Sequence, residues 1–447
     1  MLNETASSVE DRPSQRVSAR PSPQENARNA MQDELRQMVM TILNIERESF
    51  PNQTDQTEAG DTLLMIGQNS RVVGVFEGVL LLDSKEAYDK IDAMFAPHGY
   101  IPLFRVNPQG KHIVIAVTGR TQPQERPWWP NALLFALTVF SVMMMGLAIA
   151  IGEIDFYDSA EAIRIANNGL VEIWRGLPYA ISILLILGAH ELGHYFAARR
   201  HNLAVTLPYF IPEPFFLSPF GTLGAFIQLR QLIRNRKALL DVGASGPLIG
   251  LLFAIPILFI GLLTSPVGPI PSQGTIEGNS LLYALMKTIR FGEFLPNGQV
   301  DVFLNQLAWA GWAGLLLTSI NLIPIGQLDG GHIMYALLGE NARKLYYPAI
   351  GALVILVLLT GLSWLLWLVL IFFFGRLYAT PLDMITPLDR RRQIIGVLGL
   401  IVFAVTFVPE PLRAYTSGGT SVPSNSAFIL LPISLLLMQR FIQRRWR

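Results

Sequence analysis

The chain has 447 residues, of which 51% are hydrophobic and 15% charged, where a soluble globular protein carries about 25% charge. Its 34 Lys and Arg nearly cancel 33 Asp and Glu, which leaves no basic excess to argue for nucleic acid. With no Cys and six His, disulfide frameworks, thiolate metal sites and Cys nucleophiles are excluded. Any metal chemistry must draw on imidazoles and carboxylates.

Residues 1–30 are rich in Ser, Pro, Arg and acids without an apolar period, as in a disordered tail. They lack the apolar core of a secretory signal, and their acids argue against an organellar transit peptide. Residues 31–120 have the pattern of a small soluble α+β domain. An amphipathic helix is expected over 31–50, a strand over 71–82, and a helix capped by Ser84 that stops near Pro97–Gly99. A hairpin is expected around the turn Asn107–Gly110. His98 and His112 fall in this domain as ordinary surface or core residues.

From 128 to 447 the chain reads as a membrane domain, with its core at 176–340. Runs long enough to cross about 30 Å of hydrocarbon lie near 131–152, 176–198, 239–263, 303–322, 346–376, 393–410 and 425–440. Arg120 and Arg126 precede the first run, while Glu153, Asp155, Asp158 and Glu161 follow it. The basic flank belongs on the cytoplasmic side, so the soluble domain is expected there. Arg343, Lys344 and Arg390–Arg392 share that side only if 346–376 turns back on itself near Thr360–Ser363. The expected architecture is therefore a polytopic α-helical membrane protein of about eight spans, with seven as the alternative. His201, beside Arg199 and Arg200, reads as an interface anchor.

The second run ends in His190-Glu191-Leu192-Gly193-His194. On a helix, positions i and i+4 share one face. Both imidazoles can therefore meet one cation, with Glu191 beside them to accept a proton. Three ionisable groups in a membrane segment are costly unless they are functional. A catalytic zinc needs a third protein ligand and an open position. Asn321, Asp329 and His332 are the candidates, all just past a later span on the same side. Asp329 leads, on backbone broken by Pro324 and Gly326, and His332 reads better as a supporting residue. Asp329 could also cap the helix that follows. Gly243, Gly246, Pro247 and Gly250 read as a surface for close helix packing in lipid.

HELGH and the later NLIPIGQLDGG closely resemble the motifs of the site-2 protease family of intramembrane zinc metalloproteases. So do LPYFIPEPFFLSPFGTLGAFIQLR (207–230) and DVGASGPLIGLL (241–252), which resemble that family's membrane-embedded loop and Gly-Pro helix. The resemblance implies one zinc per chain held by His190, His194 and Asp329. It also implies Glu191 as general base and Asn321 holding the scissile region or the developing oxyanion. The expected substrates are transmembrane proteins cut within the bilayer, and Gly221–Ile227 offers a re-entrant, β-like edge to an unwound segment. No PDZ or CBS insertion is visible, which resembles the plastid and cyanobacterial-type branch. A bacterial cytoplasmic membrane, with the site towards the cytoplasm, is the expected location, and a plastid membrane is the alternative. The rival functional class is a metal transporter or a non-proteolytic scaffold. A transporter should show inverted repeats, and none is visible.

Overall fold

The computed structural model describes residues 23–51, 70–120, 127–213, 218–270 and 273–416. The expected run at 425–440 and residues 1–22 of the expected tail lie outside them. Helix α1 (Pro23–Met40) begins before Met31 and ends where Thr41 Oγ1 bonds back to the Met38 carbonyl at 2.7 Å. The second half of the helix expected over 31–50 is instead strand β1 (Leu43–Ser49). Leu43 and Ile45 alternate with polar residues at the period of a strand, and pairing with β2 (Val72–Leu80) uses that alternation. Helix α2 (Ser84–Phe95) is capped by the Asp83 carboxylate rather than by Ser84. A 3₁₀ turn, Ala96–His98, follows it and ends at Gly99, whose φ of 73° a side chain would resist.

Strands β3 (Tyr100–Val106) and β4 (His112–Thr118) complete an antiparallel sheet of order β1-β2-β4-β3. Leu35, Val39, Phe76, Ile91, Phe95, Phe104 and Val114 are buried between this sheet and the two helices. The β3 edge is itself paired: Phe104 N–H donates to the Leu382 carbonyl (2.9 Å), and Met384 N–H to the Phe104 carbonyl (3.1 Å). The same loop continues to the next segment through Asp383 N–H on the Arg234 carbonyl at 2.7 Å. Ser84, freed from capping, meets Thr386 at 2.9 Å, and Arg234 reaches Asp89 at 2.8 Å. The small domain thus docks on the segment that carries Arg230, Arg234 and Arg236.

Among the described residues, four helical segments are long and apolar enough to cross a membrane: Trp129–Asp155, Ser159–Arg200, Arg236–Thr264 and Asp329–Thr360. The first is helix α3 (Trp129–Asp155). The second comprises α4 (Ser159–Asn168), a 3₁₀ stretch and α5 (Leu177–Arg200), and the third is α6 (Arg236–Thr264). The expected run 303–322 forms a shorter helix, α8 (Gln306–Asn321), after α7 (Leu281–Phe291). Its 16 residues reach roughly 24 Å, and most of its side chains are enclosed. The stretch 346–376 does turn back. Helices α10 (Tyr346–Thr360) and α11 (Leu365–Phe374) follow α9 (Asp329–Leu338), and Tyr346 Oη donates to the Phe372 carbonyl at 2.7 Å. Helix α12 (Arg390–Thr406) occupies the next run.

Close crossings hold these helices together through small residues, the usual device where lipid provides no hydrophobic contrast. Gly261 packs against the Ala308 backbone and Gly311 against Leu258. A hairpin of β5 (Tyr209–Pro212) and β6 (Thr222–Phe226) runs among the helices. Asn131 donates to the Leu207 and Pro208 carbonyls (2.9 and 3.0 Å), while Tyr179 and Trp309 hold the Phe220 and Pro219 carbonyls. At the far end, β7 (Val267–Pro269) pairs with β9 (Val300–Val302), and β8 (Gln273–Glu277) with β10 (Leu412–Thr416).

The contact between α3 and the turn before α5 leaves no room for a methyl group. A Cβ on Gly176 would stand 2.1 Å from the Met143 carbonyl oxygen. Gly176→Leu is therefore expected to cost about 3 kcal/mol or more by overpacking. Gly152→Leu, whose Cβ meets nothing within 4 Å, should be tolerated. Thermal unfolding followed by size-exclusion chromatography in detergent compares the two.

Candidate metal centre

Helix α5 carries both imidazoles one turn apart, with ring centroids 4.8 Å from each other. His190, Glu191 and His194 are all about 95% buried. The opposing face of α6 makes room for them. A Cβ on Gly246 would fall 2.1 Å from His194 Nε2, and one on Gly250 would fall 3.2 Å from His190 Cβ. The glycines expected only to bring helices together also clear the volume of the two rings.

Asp329 comes from the other side. After α8 the chain turns through Gly326, at φ 65°, and re-enters the fold as α9 with Asp329 as its first residue. Gly330 and Gly331 lie flat on the Leu322 and Gly326 carbonyls, where a Cβ would be 2.0 and 2.3 Å from oxygen. The Asp329 side chain is not spent on capping: Leu328 holds the cap position without a side-chain bond. Asp329 Oδ2 lies 3.3 Å from His190 Nε2 and 3.2 Å from His194 Nε2, and the two Nε2 atoms are 3.1 Å apart.

These separations suit one small cation. Tetrahedral ligands at about 2.0–2.1 Å from zinc stand about 3.3 Å from one another. The tautomer suits it too, because His194 Nδ1–H donates to the Val242 carbonyl at 2.7 Å, which leaves the Nε2 lone pair facing its neighbours. Two ring nitrogens and a carboxylate oxygen in mutual contact form a donor set for a divalent metal, with no thiolate.

Of the two ionisable candidates for third ligand, Asp329 joins the two histidines in a group whose ligand atoms lie within 4.8 Å of each other, and His332 does not. His332 is one turn further along α9, partly buried, with its Cβ against Gly243. Asn321 closes α8, and its Nδ2 is 3.4 Å from His190 Nε2. The Ile227 backbone N–H, just past β6, lies close to the Glu191 carboxylate. The hairpin thus comes up to the carboxylate between the two histidines, a proximity that no sequence motif announces.

The remaining histidines are elsewhere. His98 stacks on Tyr100, and His112 Nδ1 accepts from Leu80 N–H at 3.2 Å. His201 is not a free interface anchor, since its Nε2 is 2.7 Å from the Asp241 carboxylate.

Residues 178–365 match the family described as Peptidase family M50. The chain is 28% identical over 392 residues to "Probable zinc metalloprotease EGY2, chloroplastic" of Oryza sativa subsp. indica, covering 84% of this chain and 69% of that protein. The Arabidopsis thaliana protein of the same name is 28% identical over 384 residues, with 83% and 66% covered. "Probable zinc metalloprotease EGY1, chloroplastic" of Arabidopsis thaliana is 27% identical over 292 residues, with 62% and 52% covered. No solved structure matches the chain.

Gly246→Ala tests the cradle. Its methyl group must displace the His194 ring, so bound metal, measured by mass spectrometry of the purified protein, should fall below about a tenth per chain. The helical content measured by circular dichroism should be retained.

Proposed function

Since residues 178–365 form a peptidase family M50 domain, we propose that the chain is an intramembrane zinc metalloprotease that hydrolyses peptide bonds in or near the transmembrane segments of other proteins. The observation that carries this reading is the contact of two imidazole nitrogens and one carboxylate oxygen at 3.1–3.3 Å, with a second carboxylate, Glu191, on the adjoining residue. His190, His194 and Asp329 hold one zinc. When bound, zinc supplies Lewis acidity, which polarises a carbonyl and brings the pKa of water towards 7.

The chain's own residues do the rest. Glu191 takes the proton of the attacking water and returns it to the leaving nitrogen. The Val242 carbonyl holds His194 in the tautomer that presents Nε2. Asn321 Nδ2 directs an N–H at the scissile carbonyl as negative charge develops there. A helical substrate has its carbonyls locked in hydrogen bonds, so it must unwind locally, and the β6 edge receives the unwound stretch as an added strand. The Ile227 N–H, at the end of that strand, lies close to the Glu191 carboxylate.

The finer architecture belongs to the same proposal. Eight spans place both termini on the cytoplasmic side, with the hairpin 209–226 re-entrant from that face. The soluble domain starts with α1 at Pro23, earlier than the boundary at 30 expected from sequence, and runs to 120, and residues 128–447 make up the protease domain. His194 precedes Arg199 by five residues, or roughly 8 Å of helix, so water reaches the site from the basic side. The relatives' chloroplastic names lend nothing to the bacterial cytoplasmic membrane expected from sequence. They favour a plastid membrane as the compartment.

Metal analysis of the detergent-purified chain tests the reading. About one zinc per chain is expected in the wild type and in Glu191→Gln, and little in Asp329→Ala. Glu191→Gln should lose at least about a thousandfold in cleavage of a membrane substrate and should retain the uncut substrate on co-purification. A wild type without metal, or an Asp329→Ala variant with a full complement, would overturn the assignment.

A further inference from the structure

A partly buried set of charges lies beside the contact between His194 and the Val242 carbonyl and has no part in the chemistry above; the side chains of Asp241, His201 and Arg392 are 22–27% exposed. Asp241, in the second turn of α6, accepts from Arg392 at both oxygens, Nε–Oδ1 2.9 Å and Nη2–Oδ2 2.6 Å. Its Oδ2 also meets His201 Nε2 at 2.7 Å. Arg392 is held in turn by Asp389 at 2.5 Å. One carboxylate therefore joins the end of α5, the start of α6 and the start of α12. A bidentate guanidinium–carboxylate pair fixes direction as well as distance.

The residue after Asp241 is Val242, whose carbonyl accepts from His194 Nδ1. The crossing of α5 and α6 just beyond it is made by glycine: a Cβ on Gly193 would stand 2.7 Å from the Ser245 carbonyl oxygen. Glycine lets two helices come close, but it offers no side chain to lock their register. The lock at this end of the crossing is the charged cluster. The two-point Arg392–Asp241 contact fixes the register on which the His194 hydrogen bond depends.

We propose that Asp241, clamped by Arg392 and His201, is a positioning residue of the metal centre that sets the Val242 carbonyl on His194 and so tunes how tightly the metal is held. This rests on the metalloprotease reading of the site. Partners that orient a metal ligand are worth 10–100-fold in affinity, so Asp241→Asn is expected to weaken binding by at least about tenfold.

The experiment is competition for zinc against a chelator of known affinity on the full chain, together with the visible spectrum after cobalt substitution. Asp241→Asn should show the affinity loss and a shifted cobalt band, and Asp241→Glu, which keeps the charge, should recover part of both. Asp301→Asn is the control for general loosening. It breaks a separate, buried cluster, where Lys287 Nζ lies 3.5 Å from Glu277 and 3.6 Å from Asp301, and it should lower thermal stability while leaving zinc affinity unchanged. Wild-type affinity and spectrum in Asp241→Asn would overturn the inference, as would an equal affinity loss in Asp301→Asn. If Asp241→Asn does not fold, His201→Gln decides, because it removes one contact and leaves the Arg392 pair. Unchanged affinity in that variant overturns the proposal, and a loss supports it. A wild type that binds no zinc removes the reading beneath it, whatever the variants do.

Discussion

The central constraint on this molecule is that three polar ligands from two distant stretches of chain must touch inside a hydrophobic body. Two imidazoles on α5 and a carboxylate at the start of α9 stand 3.1–3.3 Å apart, with at most a small fraction of their surface open to solvent. Groups of this kind are strongly disfavoured in an apolar interior unless each finds a partner. Much of the surrounding architecture serves to let those atoms meet. Gly246 and Gly250 hollow out α6 for the rings, while Gly330 and Gly331 let α9 start flush against the end of α8. The turn at Gly326 aims Asp329 inward instead of leaving it as a helix cap.

Around that centre the fold separates tasks by depth. The helices α5, α6 and α8 pack through small residues and form a rigid middle. The hairpin β5–β6 is held along its length by Asn131, Tyr179 and Trp309, and it comes close to Glu191 at Ile227. The small N-terminal sheet reaches the same centre by another path. Its β3 edge pairs with Leu382–Met384, that loop pairs with Ile233 and Arg234, and Asn235 then caps α6. Main-chain hydrogen bonds therefore run from the soluble domain to the first turn of the helix that faces the metal ligands.

Much of this was legible in the residues. Apolar runs over 131–152, 176–198 and 239–263 became long helices because apolar residues dominate each run and polar residues flank it; the few ionisable groups inside them, Glu191 and Asp241 among them, are each part of a polar cluster. The turn back at 360–363 followed from the placement of Arg343, Lys344 and Arg390–Arg392, and the Tyr346–Phe372 contact bears it out. The pairing of β1 with β2 was not legible, because residues 41–50 fit an amphipathic helix until a neighbouring strand exists to reward their alternation. The span count stays a proposal, since four segments among the described residues are long and apolar enough to cross a membrane. Length against a fixed membrane thickness is a poor guide for α8, a short helix enclosed largely by protein.

For the site, sequence alone determined the pair His190 and His194 with Glu191 between them, because helical geometry makes neighbours of positions i and i+4 whatever the rest of the chain does. It also narrowed the third ligand to Asn321, Asp329 and His332, since few polar residues lie at that end of a span. Only the tertiary structure decided among them. Asp329 and His332 share a helix face and a similar depth, and the path of the backbone through Gly326 is what turns one to the histidines and the other to Gly243. The charged cluster around Asp241 was likewise beyond reach. Asp241, His201 and Arg392 are separated by 40 and 151 residues, and nothing local in a sequence records which charges meet once helices have packed.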